Sequence, residues 1–293
     1  MRSAREDDIP QLLDLWREEV ARGRQDIVPG ETRLRRMLGR FDWDSKSRVV
    51  ERDERIAGSV IVMSRPSPDG VLANVYAAGE PDVYLGMVRW GVEFCRAAGA
   101  AVTQVFVGKD RGAGFPGLGL RHVRPWWRMD RGIGDGLPRP DPVPGYEMID
   151  GRTVHSGSWA DLFNGTFADH WRFAPRLEAE IVSDKSPELC LMAVTSAERE
   201  PVALTLGEIE RYAGDPRPQP VGLISSVGTL PGHRRRGLAT WLVADVLQRL
   251  QAAGAHHLSL YVDGENHTRA YNAYRKLGFE VAFEAEVWEA TFP

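Results

Sequence analysis

Three groups of residues in this sequence have types and spacings that could do chemistry. The first is PGHRRRGLAT, Pro231 to Thr240, set between the apolar run VGLISSVGTL (221–230) and the amphipathic run WLVADVLQRLQAAG (241–254). That order predicts a strand, a loop and a helix. A helix N-terminus carries unpaired backbone N–H groups and about half a positive charge, so it attracts anions. Gly237 lets a ligand approach the backbone with no Cβ in the way, Ala239 keeps a nearby position small, and Arg234, Arg235 and Arg236 add positive charge. The loop suits a pyrophosphate; a solvated basic turn has the same composition but does not require this order of elements. The second group is NHTRAYNAYRKLGF (266–279), where Asn266, Ala270 and Tyr274 fall near one face of a helix. Tyr274 could donate a proton to a leaving group, or simply pack with its hydroxyl on a carbonyl. Asn266 could touch a ligand or cap the helix. The third group is Glu208 and Glu210 in LTLGEIERY, the candidate general bases, of which Glu208 is preferred. Asp169 and His170 in FADHW could line an acceptor site, although a histidine beside Trp171 is often structural.

The elements that must position these groups form a pattern written twice. CRAAGAAVTQVFV (95–107) matches LQAAGAHHLSLYV (250–262), each the end of a helix, a glycine and an alternating strand. RVVERDERIAGSVIV (48–62) matches CLMAVTSAEREPVALTL (190–206), and both predict hairpins. Each half reads helix, hairpin, strand, helix, strand, helix, strand, so an α/β (α+β) fold of two tandem domains is expected, each a mixed sheet flanked by helices. RGIGDGLPRPDPVPG (131–145) is the expected linker, which places the domains at 1–130 and 146–293.

R-x-x-G-x-A (Arg234, Gly237, Ala239), after a strand ending at Pro231, resembles the acyl-CoA pyrophosphate loop of the GCN5-related N-acetyltransferases (GNAT). Asn266, Ala270, Tyr274 and Gly278-Phe279 are similar to the second motif of that family at matching spacing. The resemblance covers 146–293, and the doubled pattern resembles the mycothiol synthase-like tandem acetyltransferases, as do FADHW (167–171) and EVWEAT (286–291). It implies that the strands 221–230 and 257–262 splay, that pantetheine pairs with backbone near Val227 and Thr229, and that amides from Arg235 through Gly237, Leu238 and Ala239 to Thr240 hold the pyrophosphate of acetyl-CoA. It also puts Tyr274 at the sulfur. Many relatives carry a glutamate at about the position of Leu223, which cannot accept a proton. Ser225 and Ser226 could only orient water. The implied activity is transfer of an acetyl group to the primary amine of a small molecule; the alternative is a non-catalytic acyl-CoA sensor or scaffold.

The first half departs from the pattern. The counterpart of the arginine loop is GEPDVYL (79–85), where Glu80 and Asp82 have the wrong sign for phosphate and Pro81 lacks an N–H. Phe115 stands opposite Tyr274, so the phenol is missing too, and this half is not expected to bind CoA in this way. GAGFPG (112–117) fits a dinucleotide fingerprint in spacing, but Pro116 and Pro125 leave no room for the helix it needs.

Composition narrows the function classes. The chain has 293 residues, 43% hydrophobic and 27% charged, with a net charge of −4, which argues against a general nucleic-acid binder. No window approaches 18 apolar residues, and the start MRSAREDDIPQLLDLWREE is charged and helical rather than a leader, so a cytoplasmic location without membrane attachment is expected. The two cysteines, Cys95 and Cys190, sit in apolar runs and are expected to be buried thiols; no metal is expected. A monomer or homodimer is expected.

Overall fold

The computed structural model describes every residue except 40, 135, 140, 156, 214, 267 and 293. Two linker positions and His267 of the second motif therefore lie outside the described residues. The chain divides into two compact units: Met1–Trp127 with Tyr212–Pro216 and Phe283–Pro293, and Arg128–Arg211 with Arg217–Ala282.

In the first unit, α1 (Ile9–Ala21) buries Ile9, Leu12, Leu13 and Trp16, the spacing of one helical face. The hairpin of β1 (Ser47–Arg52) and β2 (Arg55–Ser67) turns at Asp53 and Glu54, both with positive φ, the geometry that matches the twist of its strands. Next come β3 (Gly70–Gly79), antiparallel to β2; the helix α2 (Pro81–Ala97); and β4 (Val102–Gly108), parallel to β3. α2 buries Val83, Tyr84, Met87, Val88, Val92 and Cys95 against the valines of β2, β3 and β4.

The second unit repeats this order. It has β5 (Tyr146–Asp150), the helix α3 (Ser158–Phe167), the hairpin of β6 (Cys190–Thr195) and β7 (Pro201–Glu210), then β8 (Val221–Thr229), α4 (Leu238–Ala252), β9 (His257–Asp263) and the short helix α5 (Tyr271–Lys276). β7 lies antiparallel to β6 and β8, and β8 parallel to β9. One face of β6 and β7 packs on α3 through Trp159, Leu162, Phe163, Met192, Leu204 and Leu206. α4 covers the other face, where a Cβ at Gly207 or Gly222 would run into Val246 or Leu250.

The last strand, β10 (Glu280–Thr291), pairs antiparallel with β4 from Ala285 to Thr291. The sequence reading put this stretch in the second domain. Its alternating pattern specifies a strand but not which edge it completes, and its residues from Phe283 are counted with the first unit. The expected linker is not a free tether either: Leu137 is buried, Gln248 donates to the Pro138 carbonyl at 3.0 Å, and Arg131 donates to the carbonyls of Leu277 and Gly136. Both cysteines are free and buried, and burial pushes the Cys190 thiol up to about 11. Among the described residues no helix is long and apolar enough to cross a membrane.

Candidate functional site

The parallel ladder between β8 and β9 covers only four positions, from Val221 opposite His257 to Ile224 opposite Leu260. These residues of β8 are Val, Gly, Leu and Ile; the ladder stops where Ser225-Ser226 begin. At the same place the pairing of β8 with β7 is irregular between Ile224 and Ser226, and then continues to Thr229. A bulge adds twist and bends its strand, so β8 leaves β9 while still held by β7. Among the described residues, no strand pairs with Ser225–Thr229 on the β9 side. Its backbone can therefore pair with an extended ligand.

β8 leads into the arginine loop. Pro231–His233 forms one tight turn, Arg235 sits in the left-handed region at φ 63°, and Gly237 does so at φ 88°. The first bond of α4 runs from the Trp241 N–H to the Gly237 carbonyl, and no side chain caps this helix, so the amides of Leu238, Ala239 and Thr240 have no partner within it. A Cβ built on Gly237 would meet only Val143, at 3.9 Å, so the space above the turn is open. Open space, converging amides and a left-handed backbone are what a pyrophosphate cradle requires.

The three arginines have separate employments. Arg234 turns back into the protein. Its guanidinium holds Asp169 at 2.5 and 2.9 Å, and it donates to the carbonyls of Thr229 at 3.0 Å and Thr166 at 3.2 Å. The bond from Arg234 holds the Asp169 carboxyl down at about 2. Asp169, which the sequence offered as an acceptor-site residue, thus braces the loop, and of the backbone around Val227 and Thr229 expected to pair with pantetheine, the Thr229 carbonyl already accepts from Arg234. Arg236 donates to the Tyr146 hydroxyl at 3.0 Å and to the Gly232 carbonyl at 3.2 Å. Arg235 is exposed and stands at the apex of the turn.

The second motif is less helical than its spacing predicts. Helix α5 spans only Tyr271–Lys276. Asn266 precedes it in a turn where its side-chain oxygen accepts from the Thr268 N–H at 2.8 Å and the Thr268 hydroxyl at 2.7 Å. An asparagine that bonds its own backbone two residues on favours a turn over a helix start, so the expected common face of Asn266 and Tyr274 does not form. Tyr274 is on the helix, its ring buried and edge-on to Phe279 with centroids 6.5 Å apart. Burial pushes its hydroxyl pKa well above the usual phenol value. The group therefore keeps its proton at neutral pH.

Glu208 lies opposite Leu223 in the ladder, and Leu223 lies opposite Ser259, so the three share one face of the sheet. Leu206, one pleat away, joins the α3 core on that same face, and Glu210, two residues beyond Glu208, alternates onto it as well. The partner of Glu208 is Lys185, at 3.2 Å, and both side chains are largely covered. Further along this face the Ser259 hydroxyl donates to Asp130 at 2.7 Å, and Asp130 also takes Arg217 at 2.9 Å and Arg128 at 3.2 Å. Burial works against the Asp130 charge, but the bond from His257 and the neighbouring arginines hold its carboxyl below the usual range. His170 packs edge-on against Phe167, with centroids 4.8 Å apart. The sequence reading missed Lys185 and Asp130; nothing near them in the chain marks them.

The first unit has the same short parallel ladder, from Leu72 opposite Val102 to Val75 opposite Val105. Its ends are filled by the chain itself. Arg111 donates to the Gly79 carbonyl at 3.1 Å and lies 3.6 Å over the Tyr84 ring, and the Gly108 N–H bonds to the Arg24 carbonyl at 3.2 Å. The carboxylate of Glu19, fully buried, holds Arg111, Arg22 and Arg24 together. Removing one partner of a buried charge cluster leaves the others uncompensated. Glu19→Gln is expected to lower stability by about 2 kcal/mol in urea unfolding; an unchanged midpoint would mean that the cluster contributes nothing.

Comparison with known proteins follows the same division. Residues 157–279 match the acetyltransferase (GNAT) family model. A mycothiol acetyltransferase of Kytococcus sedentarius is 28% identical over 175 residues, 56% of this chain and 56% of that protein. One from Catenulispora acidiphila is 30% identical over 171 residues, 55% of this chain and 52% of that protein. The matched region thus spans about half the length of these curated relatives. Among solved structures, a GCN5-related N-acetyltransferase from Sphaerobacter thermophilus superposes with a TM-score of 0.79 at 23% identity, covering 99% of this chain and 94% of that one. A tandem GNAT protein from the clavulanic acid biosynthesis pathway gives 0.69 at 16% identity, covering 100% and 98%. At these identities the structures speak for the fold.

Proposed function

We propose that the second unit, whose residues 157–279 match the GNAT acetyltransferase family model, transfers an acetyl group from acetyl-CoA to the primary amine of a small molecule. The observation that carries the reading is the opening of β8 from β9, leading directly into a turn with converging amides and two left-handed residues. Acetyl-CoA would supply the acetyl thioester. Backbone of β8 around Val227 receives its extended arm, Thr229 being partly engaged by Arg234. The amides from Arg235 through Gly237 to Thr240, with the Arg235 guanidinium, hold the pyrophosphate. Arg234 and Arg236 act from behind, bracing the turn.

An alkyl amine of pKa about 10.4 is neutral only about once in 10³ molecules at pH 7, so a proton acceptor is useful. Glu208 takes the amine proton, directly or through a water, and Lys185 fixes the direction of its carboxylate. The Tyr274 hydroxyl supplies a proton to the departing sulfur. Asn266, held in its turn by Thr268, is the remaining residue assigned to the cofactor in this proposal. The charged face of Glu208, Ser259, Asp130 and Arg217 is the side from which a polar acceptor would be read. The similarity to mycothiol acetyltransferases supports a small polar amine. The first unit, whose ladder ends are filled by Arg111 and Arg24, holds no cofactor in this proposal.

One observation favours a second reading. Leu223 stands where many relatives carry a glutamate, and the neighbouring Glu208 is already paired, as in a protein that binds acyl-CoA as a sensor and transfers nothing. Calorimetric titration with acetyl-CoA, followed by a free-thiol assay across small amines, separates the two. Binding at one site per chain with amine-dependent thiol release is the expected result. Binding without release for any amine supports the sensor, and absence of binding overturns both.

A further inference from the structure

We propose that Tyr146 is a positioning residue for the arginine loop, clasping its two ends so that the apex is ordered before a phosphate arrives. The proposal rests on the reading of that loop as the acetyl-CoA pyrophosphate site. Tyr146 is the first residue of β5, nearly ninety residues before the loop in the chain. Its hydroxyl lies 2.9 Å from Nδ1 of His233, at the start of the turn, and accepts from Arg236 at 3.0 Å, at its end. The two rings meet edge to face, with centroids 5.8 Å apart. Because the oxygen accepts from the guanidinium, its own hydrogen is free to be donated to Nδ1, which selects the histidine tautomer protonated at Nε2. Arg236 also grips the Gly232 carbonyl, so three bonds close the arch from Gly232 to Arg236.

Between the clasped ends lies Arg235, held at φ 63°. A non-glycine residue in the left-handed region is strained and persists only where the surroundings impose it. The clasp is such a constraint. It fixes the backbone on both sides of Arg235 and leaves that side chain at the exposed apex. A loop already ordered loses less entropy when it binds, so the clasp contributes affinity without touching the ligand.

The test is Tyr146→Phe, which keeps the ring and its packing on His233 and removes only the hydroxyl. Its dissociation constant for acetyl-CoA is expected to rise about fivefold, the effect of one lost hydrogen bond to a charged group at a partly exposed site. Affinity for acetyl-pantetheine, which lacks the phosphates, is expected to stay the same, as is the melting temperature. On an Arg236→Met background the substitution is expected to cost much less than it does alone, because one of the two ends is already released. Equal weakening for both ligands, no weakening for acetyl-CoA, or full additivity with Arg236→Met would overturn the clasp. Failure of the underlying site shows separately: a wild-type protein that does not prefer acetyl-CoA to acetyl-pantetheine has no phosphate cradle for Tyr146 to order.

Discussion

Gly237→Glu is expected to abolish acetyl-CoA binding, raising the dissociation constant about 10³-fold or more while the protein stays folded. Two effects add. A side chain at φ 88° costs roughly 1–2 kcal/mol in the left-handed region. A carboxylate about 4 Å from a phosphate charge adds about 4 kcal/mol of repulsion at an effective dielectric of 20. Together they exceed the roughly 4.1 kcal/mol of a thousandfold change. The fold tolerates the change because a Cβ there meets only Val143, at 3.9 Å. Gly237→Ala isolates the backbone part and is expected to weaken binding by about tenfold. Calorimetric titration of both variants, with melting curves as controls, measures the difference. Unchanged affinity in a folded Gly237→Glu protein would remove the loop from the cofactor site.

Tyr274→Phe is expected to lower turnover about 10²-fold, the low end of what a positioned proton donor contributes, with acetyl-CoA affinity nearly unchanged. Phenylalanine fills the volume of the buried ring and keeps the edge contact with Phe279. Because burial raises the hydroxyl pKa, the donor stays protonated through the neutral range and is lost only at strongly alkaline pH. The wild-type rate should therefore show no alkaline fall from this group below about pH 10. Turnover with a saturating amine, beside a binding titration, is the measurement. Equal rates in variant and wild type would assign Tyr274 to packing alone.

Both predictions start from motifs legible without a structure. The strand, loop and helix around Gly237 lie within a few dozen consecutive residues, and their chemistry follows from local rules: apolar alternation, glycine at a left-handed position, unpaired amides at a helix start. The doubled order of elements was legible for the same reason, because hairpins and helix–strand pairs are short-range patterns. What local rules cannot supply is the partner of a charged side chain. Three adjacent arginines look equivalent in the sequence, yet Arg234 meets Asp169, 65 residues away, and Arg236 meets Tyr146, 90 residues away. Glu208 and Lys185 were likewise brought together by the packing of distant elements. Asn266 shows the reverse, where a side chain bonding its own backbone overrode a helical spacing. The last strand illustrates the general case. Its alternation specified a β-strand, but a strand satisfies its backbone at any open edge, and only the tertiary structure decided that this edge was β4.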